Sequence, residues 1–314
     1  MTTRSQQTES SQQPQAPPRA AAWPLALAGL MIAAVQAARP RQWPKNLLVF
    51  AAPLAGATLG RADGFGYALV AFAAFTAASA AVYLINDVMD AERDRLHPVK
   101  RLRPIASGRL PRWLAIGLAV AALGVALLAS LAIGEPRLAG VIGAYVTMSL
   151  LYSLGLKHVP GAELLVVALG FVLRAIGGAV ATHVPPSAWF LAVCSLGALM
   201  VAIGKRYTEL SVLGHEAAAH RPVMRWYRPW MLLTGQRAAM TVMLVAYLLW
   251  AVSEPDPWMR GWHLASALPL AAALFRFDVL TGLADGRPVE DLITRDPTMI
   301  CSELAWLTTF TIGL

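Results

Sequence analysis

Val82-Tyr83-Leu84-Ile85-Asn86-Asp87-Val88-Met89-Asp90-Ala91-Glu92-Arg93-Asp94 closes an apolar run that begins near residue 65. The run at 65–86 is long enough to cross a bilayer, which takes roughly 17–25 mostly apolar residues. It stops on the pattern N-D-x-x-D-x-x-x-D. On a helix, Asn86, Asp87, Asp90 and Asp94 fall within an arc of about 100° on one face, and Glu92 points the other way. Three carboxylates at a membrane boundary repel one another and call for a cation. Hard oxygen donors select Mg²⁺ or a similar ion, which binds through one or two carboxylates, retained waters and substrate phosphates. A solvated acidic helix end is the plain alternative.

The basic segment next in the chain weakens that alternative. Arg93, Arg95, His97, Lys100, Arg101, Arg103 and Arg109 come at once, with Pro98, Pro104 and Gly108 breaking the helix. Acidic metal ligands beside a basic loop suit a metal–diphosphate complex, in which the metal bridges oxygens and Lys and Arg neutralise the rest. A basic loop alone would be explained by lipid headgroups and topology, so the conjunction carries the information.

The rest of the chain agrees with a membrane setting. Of 314 residues, 57% are hydrophobic and 14% charged, and mean hydropathy is +0.55. A soluble domain carries about 25% charged residues. That excludes an ordinary water-soluble globule, a disordered chain and a disulfide scaffold. Cys194 and Cys301 lie in apolar runs and read as buried free thiols. Nine spans are expected, near 44–60, 65–86, 112–132, 137–154, 162–182, 187–204, 234–252, 261–277 and 297–314. The fold class is therefore all-α integral membrane, one domain over 22–314 behind a Gln-, Ser- and Pro-rich disordered tail, 1–21. Residues 22–38 read as a helix lying at the membrane surface rather than a signal-peptide core.

The net charge of +8 and pI near 9.9 belong to one face. With a cytosolic N-terminus, the outer loops hold only Arg61, Arg137 and Arg260, and Arg174 lies within a span. The other Lys and Arg residues fall on the cytosolic side or in the tail, which places the C-terminus outside. Nucleic-acid binding has little support, because the basic loops are short and embedded among spans. The long loops, 87–111, 205–233 and 278–296, face the cytosol, and long loops on a rigid scaffold carry function. Small-residue helix faces make homo-oligomerisation an open expectation.

Further clusters repeat the theme. Arg39-Pro40-Arg41-Gln42-Trp43-Pro44-Lys45-Asn46 opens the first span, and Gly204-Lys205-Arg206-Tyr207-Thr208-Glu209-Leu210 closes the sixth. Lys205 and Glu209 stand four apart, which a plain helix salt bridge would also explain. Lys157 follows the fourth span beside Tyr152. Arg174 sits near the middle of the fifth, where a charge costs roughly 2.5–3.5 kcal/mol on insertion scales, so it should face a polar cavity or a partner. Glu163 lies nearer the cytosolic end of the same helix. Asp285, Arg287, Glu290, Asp291, Arg295 and Asp296 read as a solvated loop.

The nine-span pattern with N-D-x-x-D-x-x-x-D after the second span resembles the UbiA superfamily of intramembrane transferases. R-P-x-Q-W-x-K-N at 39–46, R-P-I-A-S-G at 103–108 and G-K-R-Y-x-E-L at 204–210 resemble its polyprenyl-phosphate phosphoribosyltransferase branch. Prenyl-transferring members carry a second Asp-rich motif of the D-x-x-x-D kind after the sixth helix, and here that place holds one acid and two bases. The resemblance implies a helical bundle with a cytosolic active-site cavity in the plasma membrane. It implies transfer of phosphoribosyl from phosphoribosyl diphosphate to decaprenyl phosphate, for cell-wall arabinan. By the same resemblance, Asp87, Asp90 and Asp94 would hold Mg²⁺, with Mn²⁺ as a substitute, and Asn86 would orient the metal or diphosphate. Lys45, Arg103, Lys205 and Arg206 would neutralise phosphates, with Glu209 beside them. Lys157 and Arg174 would meet the ribose 5-phosphate or the lipid phosphate. An aromatic prenyltransferase using a prenyl diphosphate is the competing enzyme. A transporter is the competing non-enzyme, weakened by ionisable residues gathered at one face and by the lack of an inverted repeat.

Overall fold

The structure, a computed structural model, describes residues 19–217, 221–283 and 289–314. The expected tail lies almost wholly outside the described residues, as do Asp285 and Arg287. Every regular element among the described residues is helical. Arg19–Ala37 forms α1, and Pro40–Phe50 is a 3₁₀ segment that runs into the short α2, Ala51–Ala55. Seven helices are long and apolar enough to cross a membrane: α3 (Ala62–Met89), α5 (Arg112–Ala132), α6 (Pro136–Leu154), α7 (Ala162–Ala181), α8 (Ala188–Leu213), α9 (Pro229–Ser253) and α10 (Pro257–Leu283). The short α4 (Ala91–Arg95) and α11 (Val289–Arg295), then α12 (Pro297–Ile312), complete the set. Pro136, Pro229 and Pro297 open their helices, where the missing N–H has no partner to lose.

The first and last of the nine expected spans are built differently from the other seven. The last is α12, of 16 residues. The first is the 3₁₀ segment with α2. It still runs the length of the bundle: Arg39 before it pairs with Asp87 near the end of α3, and Gly56 after it packs on Val184 beyond the far end of α7. A 3₁₀ helix rises about 2.0 Å per residue and an α-helix about 1.5 Å, so this short stretch reaches about 30 Å. Pro40 and Pro44 remove donors that a regular α-helix would need. The buried positions Asn46 and Val49 then recur at the 3₁₀ period of three.

Close approach to α7 depends on two glycines, Gly178 toward this segment and Gly177 toward α3. A Cβ on Gly178 would lie 1.8 Å from the carbonyl oxygen of Val49, and one on Gly177 would lie 2.2 Å from the Phe75 ring. Alanines of α3 (Ala71, Ala74, Ala78) pack around Phe75, Val49 and Tyr145 in the same core, the small-residue contact that holds helices together in lipid. Large apolar side chains such as Val120, Leu128, Leu268 and Phe275 point outward, as suits a surface that meets hydrocarbon. Cys194 and Cys301 are free thiols, but Cys194 is half-buried on α8 and Cys301 is exposed on α12, rather than both being buried. On a helix whose outer face meets lipid, apolar sequence does not require protein burial.

Candidate active site

α3 does not continue through the whole acidic motif. It ends at Met89, turns at Asp90, and resumes as α4. Asp87 and Asp94 are buried, whereas Asp90 is more open and lies 3.5 Å from Arg93. Glu92 is exposed and pairs with Arg112 at 3.2 Å, on the far side as the helical wheel predicts. The three aspartates do not form a cage. Among the described residues, no three acidic, His or Cys side chains could together hold a metal ion.

A guanidinium stands between two of them instead. Arg103 Nη1 donates to Asp94 Oδ2 at 2.7 Å and to Asp87 Oδ1 at 3.2 Å. Arg39 Nη2 donates to the same Asp87 oxygen at 2.5 Å. Arg103, expected to meet phosphate, thus neutralises the motif here. Arg39 opens the basic motif at 39–46, and nothing in that motif marks it as a partner of Asp87. It has positive φ (54°), rare for a residue with a side chain and rarer before a proline, and its guanidinium stacks 4.9 Å from the Tyr83 ring centre. Asn86 Oδ1 is buried with no hydrogen-bond partner among the described residues. Such an orphan calls for an explanation, and a hard cation is one. The donors Asn86, Asp87 and Asp90 suit an ion that takes only one or two carboxylates and fills its other positions from water and substrate.

Deeper in the bundle, Arg174 is buried and makes three hydrogen bonds. Its Nε donates to Asn46 Oδ1 (2.6 Å), Nη1 to the Gly170 carbonyl (2.7 Å) and Nη2 to the Tyr145 hydroxyl (3.1 Å). Asn46 completes the link by donating to Thr76 Oγ1 at 3.0 Å. Sequence reasoning alone does not single out Asn46 and Tyr145 for this site. Their signal is faint, since Asn46 closes the R-P-x-Q-W-x-K-N motif and Tyr145 is a polar tip in an apolar span.

A third group lies where α7 begins and α8 ends. Arg206 Nε donates to both oxygens of the fully buried Glu163 at 2.8 Å, and its Nη1 donates to Glu209 at 2.6 Å. Arg221 joins them, 3.3 Å from Glu163 and 3.2 Å from the Tyr152 hydroxyl. Nearby the Tyr227 hydroxyl accepts the Gly161 N–H at 2.8 Å, and burial pushes its phenol above the usual range. Lys157 is half-buried in the turn Leu156–His158 that precedes α7. Lys45 lies in the 3₁₀ segment and Lys205 one residue before Arg206. Most of the expected residues therefore lie toward one end of the bundle, while Arg174 and Lys45, the neighbour of its partner Asn46, lie deeper.

The fold and this arginine-lined acidic end define a polytopic helical membrane protein with a charged site at one end. The chain belongs to the UbiA prenyltransferase family, whose profile matches residues 46–286. It is 43% identical over 290 residues to the decaprenyl-phosphate phosphoribosyltransferase of Mycobacterium tuberculosis, covering 90% of this chain and 94% of that one. The proteins of the same name from Mycolicibacterium smegmatis and Corynebacterium glutamicum are 39% and 37% identical, over 88% and 87% of this chain and 90% and 84% of theirs. A UbiA homologue from Archaeoglobus fulgidus, solved with GPP and Mg²⁺, superposes with a TM-score of 0.64 at 17% identity, covering 90% of this chain and 98% of that one. Identity that low speaks for the fold alone.

Proposed function

We propose that this protein transfers 5-phosphoribosyl from phosphoribosyl diphosphate to decaprenyl phosphate, giving decaprenylphosphoryl-5-phosphoribose and diphosphate. The observation that carries this reading is identity of 37–43% with three proteins of that name, over most of both chains. The second motif position supports it: Gly204–Leu210 presents Lys205 and Arg206 where a prenyl-transferring relative would present aspartates.

Transfer requires C1 of ribose to lose diphosphate while a lipid phosphate oxygen attacks. That nucleophile is already anionic, so the protein needs no strong general base. Its work is positioning and stabilisation of the charge that builds on the leaving group. Asp87 and Asp90, with the Asn86 amide oxygen, would hold Mg²⁺ or Mn²⁺, which when bound supplies neutralisation of diphosphate. Lys45, Arg39, Arg103 and Lys205 neutralise phosphate from the chain's side. Asp94 holds Arg103 in place, and Glu163 and Glu209 do the same for Arg206. Lys157 and Arg174 serve the ribose 5-phosphate or the lipid phosphate. The site opens to the cytosol in the plasma membrane, with the N-terminus inside and the C-terminus outside.

The test is to incubate purified protein with Mg²⁺, decaprenyl phosphate and labelled phosphoribosyl diphosphate, and to measure label in the organic phase. Lipid-linked label supports the reading. Turnover of a prenyl diphosphate with an aromatic acceptor, and none of this pair, would replace it with the prenyltransferase alternative.

A further inference from the structure

The end of the bundle opposite the acidic motif holds a cavity of about 280 Å³. It lies where α3 begins and α7 ends, between the turns at Thr58 and His183. The proposed transfer makes no use of it. Its walls are fixed by backbone contacts. Thr58 donates twice to the Pro53 carbonyl, from N at 2.9 Å and from Oγ1 at 3.1 Å, and the Val184 N–H donates to the Ala179 carbonyl at 2.9 Å. A Cβ on Gly64 would lie 2.2 Å from the Thr58 carbonyl oxygen, so the first turn of α3 touches the loop before it. Three residues other than glycine have positive φ among the described residues: Arg39, Ala57 and His183. Arg39 belongs to the acidic site, and the other two stand at this cavity. Strain of this kind persists only where the surrounding structure enforces it, and it gathers at ligand sites.

The lining divides into donors and acceptors. Arg61 meets Asp63 through Nε and Nη2, at 3.4 and 3.3 Å, which leaves the two donors of Nη1. The Tyr67 hydroxyl makes no hydrogen bond among the described residues, and its ring stands edge-on to His183 with 6.0 Å between centres. His183 is backed by the buried Glu135, whose Oε2 lies 3.4 Å from Nδ1. On the acceptor side, the Thr58 and Thr182 hydroxyls spend their protons on backbone carbonyls, at 3.1 and 2.8 Å, and offer only lone pairs to the cavity. Asp63 adds a carboxylate with lone pairs to spare. A simple anion would leave the acceptors unused, and a simple cation the donors. A molecule carrying both charges uses both sets.

We propose that this cavity binds a zwitterionic phosphodiester, the aminoethyl phosphate head group of a phospholipid. Arg61 and Tyr67 meet the phosphate, since a guanidinium makes strong charge-assisted bonds to phosphate oxygens. Asp63, with the Thr58 and Thr182 oxygens, meets the ammonium. Size and level agree with that ligand. A cavity of this volume has room for a head group and none for acyl chains, which stay in the bilayer. Arg61, Asp63 and Tyr67 fall within about two turns of the start of an apolar span, the depth at which head groups lie and at which tyrosines collect. The same chemistry could come from a free glycerol phosphodiester, so the test separates the two sources.

The experiment titrates the full chain, purified in detergent, with short-chain phosphatidylethanolamine or with phosphatidylglycerol of the same chain length. Native mass spectrometry counts the bound lipids and gives the affinity of the first. Wild type should bind one phosphatidylethanolamine more tightly than phosphatidylglycerol. Arg61→Gln should weaken that complex 10- to 100-fold, and Tyr67→Phe about fivefold. Asp63→Asn should remove the preference between the two lipids. Glycerophosphoethanolamine, which has no acyl chains, is then added as a competitor. Competition shows that the head group alone fills the site and admits a soluble source; lipid binding that resists it assigns the membrane lipid. Equal affinity in wild type, Arg61→Gln and Tyr67→Phe overturns the proposal. So does the absence of a one-to-one complex, or wild type that binds the two lipids equally. If Arg61→Gln does not fold, Tyr67→Phe decides, because it keeps the ring that packs on His183 and loses only the hydroxyl.

Discussion

Arg103 reaches back across nine residues to place its Nη1 2.7 Å from Asp94. The same atom lies 3.2 Å from Asp87. One flexible cation thereby neutralises two buried acids of the motif that the site needs. Arg103→Gln should leave Asp94 without its cation and Asp87 with Arg39 alone, lowering the thermal midpoint in EDTA. Added Mg²⁺ should recover part of the loss, because a divalent cation can take over the neutralisation. A thermal melt with and without Mg²⁺ checks this; an unchanged midpoint in EDTA would show that the pairing contributes nothing.

Asp87→Asn removes the charge but not the shape of the most enclosed carboxylate of the motif. Turnover of labelled phosphoribosyl diphosphate should fall by orders of magnitude while the protein remains inserted and folded. Near-wild-type activity would dismiss Asp87 as a site residue.

The contact of Gly178 with the Val49 carbonyl leaves no room for a methyl group, since a Cβ would lie 1.8 Å from that oxygen. The obstacle is backbone, which cannot swing aside. Gly178→Ala should destabilise the protein by about 1–3 kcal/mol, the usual range for overpacking, or more. Gly117→Ala is the matched control: nothing lies within 4 Å of its added methyl, and α5 should gain rather than lose. Equal melting of the two variants would contradict the packing.

Glu163 is fully buried beneath two arginines. Glu163→Gln leaves Arg206 and Arg221 facing a neutral amide. Breaking a buried pair costs about 3–5 kcal/mol, an upper bound here because Glu209 still meets both arginines. Denaturation in detergent should show a loss of that order, and a loss below about 1 kcal/mol would mean that water reaches the pair.

At the opposite end, Arg137 grips Glu135 with Nε and Nη2 at 2.6 and 2.7 Å, which holds the carboxyl below its usual range. A carboxylate whose folded pKa is depressed contributes stability above its unfolded value, here 4.5, and loses it as pH falls below that. Glu135→Gln should therefore lower the melting point at pH 7, with the gap to wild type closing as pH falls below 4.5. A gap that does not shrink as pH falls would point to shape rather than charge.

The sequence by itself determined the class of protein. Long apolar runs have one stable solution in lipid, helices, because every backbone group must be paired internally. It also marked the acidic motif, since charges at the end of a span are too costly to be incidental. Tertiary structure decided what the charges do. Whether Arg103 faces a carboxylate or open space, and whether Arg206 is matched by Glu163 from 43 residues away, depends on helices meeting across the bundle. The 3₁₀ form of the segment at 40–50 was equally hidden. Its prolines hinted at a break, but Gly178, which lets it lie against α7, acts only once the two are packed. Local sequence sets which groups must avoid lipid, and long-range packing sets which partner each of them finds.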